Sequence, residues 1–501
     1  MLIVRKLKEK NTSTINRQRR HLACSSVPVV DMGWTVIAED GIETYVASLA
    51  SKKATVVGLL FGQEISAQKS CVIHLARTPD PVIEDEEEES ESSLEIQNKN
   101  VRKVNSPTED FDDSLVLDHA RQVMRSLPGG ITILGVFIVS NTDPFQNPAM
   151  NNRIRKLLTS IDVIIGKSSI TVRQQLTCER IALHISNTTI KYTCKTLEIN
   201  SPLASPKPAD WKFVNAAGSP WIELHCTTNV EFFIGLSDSE SSGTLRQQLE
   251  TGIDLYGKAV KQCICLFGGK FSTDLELVDD ASTVMGTGKK KSKQQNSEER
   301  MKTINVQILI PELEVKQEKQ ECSSELRFGG QMCIKAYIHG KATVREASQV
   351  IREDILRSLW ARCDMHCDSL IGEEQRGQPD VKAVLHEPPR RVLAPLSLSP
   401  ISVSDYLFPG EGPADSLTSL ADLLDLGTLL DGDVQDYWEA AAEVNDAELQ
   451  IQSDSTLLET TISKQNSVAP SSNSRAILLS GLIALLAIVL SYLTLQIFRT
   501  N

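Results

Sequence analysis

Positive charge is scarce in this sequence. Its 52 Lys and Arg face 65 Asp and Glu, a formal net charge of −13. Neutralising phosphates takes clustered basic side chains, so nucleic acid is excluded as a partner. Cysteine is present but unpatterned, with eleven residues at no repeated spacing, which suits neither a disulfide framework nor a zinc ribbon. Cys71, Cys226 and Cys333 fall in apolar strands and read as small core residues. Cys363, His366 and Cys367 share two helical turns, yet no second Cys/His cluster completes a set of four ligands. Gly286-Thr287-Gly288-Lys289 lacks the spacer, the following Ser or Thr, and the preceding strand of a phosphate loop. No local signature places a nucleophile beside a base. The expectation is a protein with no catalytic residues, no metal and no cofactor.

The N-terminus lacks the apolar run of a secretory signal, and Met1–Arg20 is merely basic. The opposite end lacks charge. Ala476–Phe498 contains no charged residue, and at about 1.5 Å per residue it would span roughly 34 Å as a helix. That fits a bilayer core about 30 Å thick. A single C-terminal transmembrane helix is expected, with Ala476, Leu482, Leu486, Val489, Leu493 and Phe498 among its anchoring residues. Only Arg499, Thr500 and Asn501 follow. Insertion would therefore come after translation, leaving the N-terminal bulk in the cytosol and the lipid bilayer as a partner.

Between these ends the pattern is α/β. Residues 1–31 read as an irregular basic extension. Residues 32–200 alternate apolar strands with amphipathic helices, interrupted at 79–113 by a dense acidic insertion that repels itself and is expected to be disordered. Ile131–Ser140 is apolar throughout and reads as a central strand covered on both faces. A β-rich continuation covers 201–285, a polar basic linker 286–303, and a second α/β unit 304–404, whose best helix is Val344–Ile371. From 405 to 474 the chain reads as an acidic disordered tether, since no Lys or Arg occurs between Arg391 and Lys464. Inside it, Leu417, Leu420, Leu423 and Leu424 repeat at helical spacing between aspartates. Such a segment is unstructured alone and could fold in a partner's groove, but a plain spacer is the favoured reading.

Six blocks in order carry a resemblance: MGWTVI at Met32, VVGLLFGQ at Val56, LPGGITILGVFI at Leu127, KPADWK at Lys207, KAYIHGKATVREA at Lys335 and RRVLAPL at Arg390. Together they resemble the odorant-response-abnormal protein 4 family of tail-anchored membrane proteins. The resemblance implies a degenerate MPN-like mixed-sheet domain. In active MPN metalloproteases a strand ending G-x-x-H-x-H supplies two zinc ligands. Here Gly135–Ser140 reads GVFIVS, so Ile138 and Ser140 stand in place of the histidines. The resemblance further implies a non-catalytic endoplasmic-reticulum adaptor. Such an adaptor would support maturation and trafficking of seven-helix receptors and recruit the cysteine protease specific for the ubiquitin-fold modifier. The alternatives are a hydrolase with a non-metal site and a chaperone that binds receptor cargo directly.

Overall fold

The structure, a computed structural model, describes residues 33–80, 111–168, 178–201, 203–214, 221–236, 243–281, 301–311, 324–375, 388–397, 399–426 and 431–439. The basic extension, the body of the acidic insertion and the apolar run Ala476–Phe498 lie outside these residues. Among the described residues, no helix is long and apolar enough to cross a membrane.

The chain is a mixed α/β fold. Seven strands close a barrel in the order β1 (Trp34–Glu39), β3 (Lys69–Arg77), β2 (Val56–Ser66), β4 (Thr132–Ser140), β5 (Glu179–Ser186), β6 (Tyr192–Glu198) and β7 (Lys207–Val214). Parallel pairing of β1 with β7 closes it. The uniform apolarity of Ile131–Ser140 has the expected cause. Leu134, Phe137 and Val139 face one core, beneath helix α1 (Gly41–Ser51). Ile133, Val136 and Ile138 face the other, beneath α2 (Asp113–Ser126) and α3 (Pro148–Ser168). Gly135 lies between the two sets because β5 approaches closely there. A Cβ on it would stand 1.8 Å from the Ile181 carbonyl oxygen.

A second sheet runs β11 (Ser324–His339), β8 (Trp221–Leu236), β10 (Lys302–Leu309), β9 (Ile264–Phe267). Helices α4 (Leu245–Gln262) and α6 (Val344–Gln375) bury their apolar stripes on one of its faces, and the short α5 (Val278–Ala281) lies beside them. Here the expected boundary between 201–285 and 304–404 dissolves. β8 and β11 come from opposite sides of the polar linker and pair antiparallel from Trp221↔His339 to Leu236↔Ser324. Pairing over such a separation leaves no local mark in the sequence.

The two sheets are stitched together at Pro128-Gly129-Gly130. The Gly129 carbonyl accepts from the Tyr337 N–H at 2.9 Å, and the Gly129 N–H donates to Asp354 Oδ1 at 2.7 Å. Gly130 has φ +85°, and a Cβ on it would stand 2.1 Å from the Tyr337 oxygen. Gln63 Nε2 donates to the Gly130 and Tyr337 carbonyls at 2.9 and 3.0 Å. Arg357 Nη1 donates to Leu127, Pro128 and Ile131 carbonyls, each at 2.9 Å. Buried carbonyls must find donors, and here Gln63 of β2 and Arg357 of α6 supply them.

The hairpin β12 (Arg390–Pro395) and β13 (Ser402–Leu407) joins the first core through Val392, Ala394 and Val403. A further helix, α7 (Pro413–Leu424), follows. The expectation of a disordered tether beginning at 405 is thus wrong for the described residues up to 439. They form strand, helix and a bridged extension.

Candidate functional site

Helix α7 starts cleanly. Pro413 occupies its first turn, and the Asp415 carboxylate accepts from the Gly412 N–H at 2.8 Å. Leu420 and Leu424, one turn apart, are both fully buried in the first core, with Leu417 and Leu423 packed at its margin. The groove that takes them is bounded by α2, β3 and the β12–β13 hairpin. Asp415, Thr418, Ser419 and Asp422 are exposed and keep the outer face polar. The four leucines singled out in the sequence therefore do share one face, but that face is docked against this chain's own body.

The C-terminal end of α7 is clamped. A helix leaves its last four carbonyls without intrahelical donors. His119 Nε2 stands 2.7 Å from the Leu423 oxygen, and His74 Nε2 stands 2.8 Å from the Leu424 oxygen. A carbonyl only accepts, which assigns the proton to Nε2 in both rings. The next residue, Asp425, adopts a left-handed conformation with φ 48° and ψ 41°. Its carboxylate accepts from the Tyr45 hydroxyl at 2.5 Å and from Arg77 Nε at 3.4 Å.

Beyond α7, Gln435 and Leu393 exchange two backbone hydrogen bonds of 2.7 and 3.2 Å. The Trp438 ring lies 4.6 Å from that of His225. Glu439 then ends the described strap. Both of its oxygens accept from Arg362 Nη2, at 2.8 and 2.7 Å, and they also accept the Cys333 and Arg391 backbone N–H groups at 2.8 Å. A buried carboxylate with this many donors is a fixed anchor point.

The clamp has a pH signature. Burial pushes His74 and His119 below the ordinary imidazole value, against the opposing pull of the Leu424 and Leu423 carbonyls and of Asp425. His74 Nδ1 has no acceptor in which to place a second proton. Once undocked, each histidine takes up a proton as the pH falls through about 6.5, whereas docked it does not until lower. The undocked form then binds more protons, so docking is fully retained above about 6.5 and weakens below it. The limit is roughly 1.4 kcal/mol per histidine per pH unit. Asp405, which meets α7 through Ser416, opposes this in part. Burial raises its carboxyl to about 6, which favours docking at low pH. With two histidines against one carboxyl, hydrogen exchange across 413–426, corrected for its intrinsic pH dependence, is expected to be faster at pH 5.5 than at pH 7.5. Equal protection at both values would contradict the clamp.

The end of β4 is built differently. Ile138 is buried in the apolar core beside β5. The Ser140 hydroxyl donates to the Thr142 carbonyl at 2.8 Å. His184 Nε2 lies 3.2 Å from Ser140 Oγ and 3.3 Å from the Ser140 carbonyl oxygen, with Nδ1 3.8 Å from Asp143 Oδ1. This superficially matches a Ser-His-Asp constellation. However, the serine proton is directed to Thr142, and serving the carbonyl requires the proton on His184 Nε2. That is the inverse of the tautomer a general base needs. Among the described residues no group of three or more His, Cys, Asp and Glu could hold a metal ion. Cys363 and Cys367 sit in the second core.

Sequence reasoning missed His74, His119, Tyr45, Arg77 and Glu439. The available signal was a single histidine within each of two apolar faces, SCVIHLAR and the stripe of α2.

The family model "Odorant response abnormal 4-like" matches residues 58–434, from β2 through α7 into the strap. The chain belongs to the odorant response abnormal 4-like family. The protein odr-4 homolog of Homo sapiens is 30% identical over 402 residues, covering 79% of this chain and 84% of that one. The Xenopus tropicalis homolog is 32% identical over 408 residues, with the same coverage of 79% and 84%. Among solved structures, UfSP from C. elegans aligns at a TM-score of 0.38 and 11% identity, over 79% of this chain and 57% of that one. That likeness is too loose to guide either fold or chemistry, and family membership rests on the sequence matches.

Proposed function

We propose that this protein is a non-catalytic endoplasmic-reticulum membrane adaptor that supports maturation and trafficking of seven-helix receptors. In this reading it also recruits the cysteine protease specific for the ubiquitin-fold modifier. The observation that carries the reading is membership of the odorant response abnormal 4-like family over residues 58–434. The end of β4 is consistent with it, since Ile138 and the committed hydroxyl of Ser140 offer no ligand set. Ala476–Phe498 would hold the folded body at a bilayer surface, with the body facing the cytosol. Confinement there raises the effective concentration of a bound protease near membrane substrates without adding any contact.

Full-length protein purified in detergent, with and without the protease, tests the proposal. Stoichiometric co-purification without intrinsic peptidase activity is the expected result. Peptidase activity of the protein alone would favour a hydrolase, and direct capture of receptor cargo without the protease would favour a chaperone. Topology has its own test. A glycosylation acceptor appended after Asn501 should be modified in microsomes, while Asn187 stays bare. Protection of the N-terminal body from added protease would refute the orientation.

A further inference from the structure

Cys263 caps the end of α4, and Cys265 follows in β9, the edge strand of the second sheet. Neither thiol is in a disulfide, and their sulfurs stand 4.0 Å apart. Helix α6 brings Arg352 over them. Its Nη2 donates to the Cys263 carbonyl at 2.7 Å, and its buried Nε has no acceptor. Among the described residues, no carboxylate pairs with this guanidinium. A cation beside two thiols, without a counter-ion of its own, favours a thiolate.

We propose that Cys263 and Cys265 form a reversible dithiol site oxidised by hydroperoxides. The roles of the two sulfurs differ. The hydrogen bond from Cys265, and then Arg352, draw the Cys263 thiol down against its burial, while that same bond and burial push Cys265 up. Cys263 is the attacking sulfur. Its thiolate takes the terminal oxygen of the hydroperoxide, the O–O bond breaks, and water or an alcohol leaves once protonated, giving a sulfenic acid. The Cys265 sulfur then attacks the Cys263 sulfur. The S–S bond forms, the S–O bond breaks, and the hydroxyl leaves with the Cys265 proton as water. Two electrons and two protons pass from the thiols to the peroxide. A disulfide draws its Cβ atoms to about 3.5–4.5 Å, so β9 must leave its pairing of Cys265 with Ile308 and Ile264 with Leu309. Both thiols are buried, Cys263 at 1% and Cys265 at 7% exposure, so peroxide reaches them when β9 opens, and β9 is an edge strand paired on one side only.

The test uses full-length protein in detergent, graded hydrogen peroxide, differential alkylation and peptide mass analysis. Exposed Cys178 is the internal reference. The peptide carrying Cys263 and Cys265 is expected to lose two hydrogens at doses that leave Cys178 alkylatable, and dithiothreitol should restore it. Cys265→Ser should accumulate a dimedone-reactive sulfenic acid on Cys263. Arg352→Met should slow that labelling several-fold, and Arg352→Lys should retain most of it. Oxidation of Cys178 with the pair untouched, or sulfenic acid forming on Cys265 instead, would overturn the proposal.

Discussion

Replacing Asp354 by alanine is expected to lower the stability of the folded chain by about 3–5 kcal/mol. Asp354 is 1% exposed. Its carboxylate accepts from Arg391 Nη1 at 2.6 Å and from Nη2 at 3.0 Å, and from the backbone N–H groups of Gly129 at 2.7 Å and Lys335 at 3.0 Å. Removing it leaves the Arg391 guanidinium buried without a counter-ion and two N–H groups without an acceptor. A domain has about 5–15 kcal/mol in total, so this single change approaches the limit of foldability. Urea unfolding of the full-length protein followed by tryptophan fluorescence measures the loss. A double change of Asp354 to Leu and Arg391 to Met should recover part of it, because the pair's desolvation cost disappears along with its attraction. A loss below about 1 kcal/mol for Asp354→Ala would mean that the junction between the two sheets is held elsewhere.

The second large effect concerns the strap. Changing Leu420 and Leu424 together to alanine removes two fully buried side chains, each worth about 2–5 kcal/mol in a core. The sequence alone favoured a spacer, for which such changes would leave the fold intact. The docked helix reverses that expectation. Hydrogen exchange should rise across 413–439, including around Trp438, while the strands β2 and β4 keep their protection. Exchange unchanged from wild type would show that α7 does not depend on its leucines.

Some of this was legible beforehand for identifiable reasons. Ile131–Ser140 could be placed as a central strand because burial on both faces demands apolarity at every position. The helix at Val344–Ile371 could be placed because its stripe repeats over many turns. The fate of Leu417–Leu424 could not be read, since an acidic leucine-patterned helix looks the same whether it waits for a partner or docks in cis. The deciding residues, His74 and His119, lie more than 300 residues earlier in the chain. Composition also misled at 405–439. A run without Lys or Arg suggests a solvated tether, but one glutamate, Glu439, ends it at Arg362 and two backbone N–H groups. Local sequence equally hid the joining of the two units, because the pairing of β8 with β11 spans the polar linker.

The His74 clamp has a consequence for synthesis. Its carbonyl partner, Leu424, lies 350 residues downstream. At roughly 5–20 residues per second, between about 18 and 70 s of translation separate the two. From the completion of α2 at Ser126 until α7 is made, the apolar face under α2 stands open on the nascent chain, available to any helix of similar pattern, including those of chains on neighbouring ribosomes. A chaperone that holds this face during elongation would be released by the protein's own C-terminal segment. The same logic sets where the gene can be cut. A fragment ending near residue 410, after β13 and before α7, would carry a permanently open groove and should aggregate, whereas one ending after Glu439 carries its own cover.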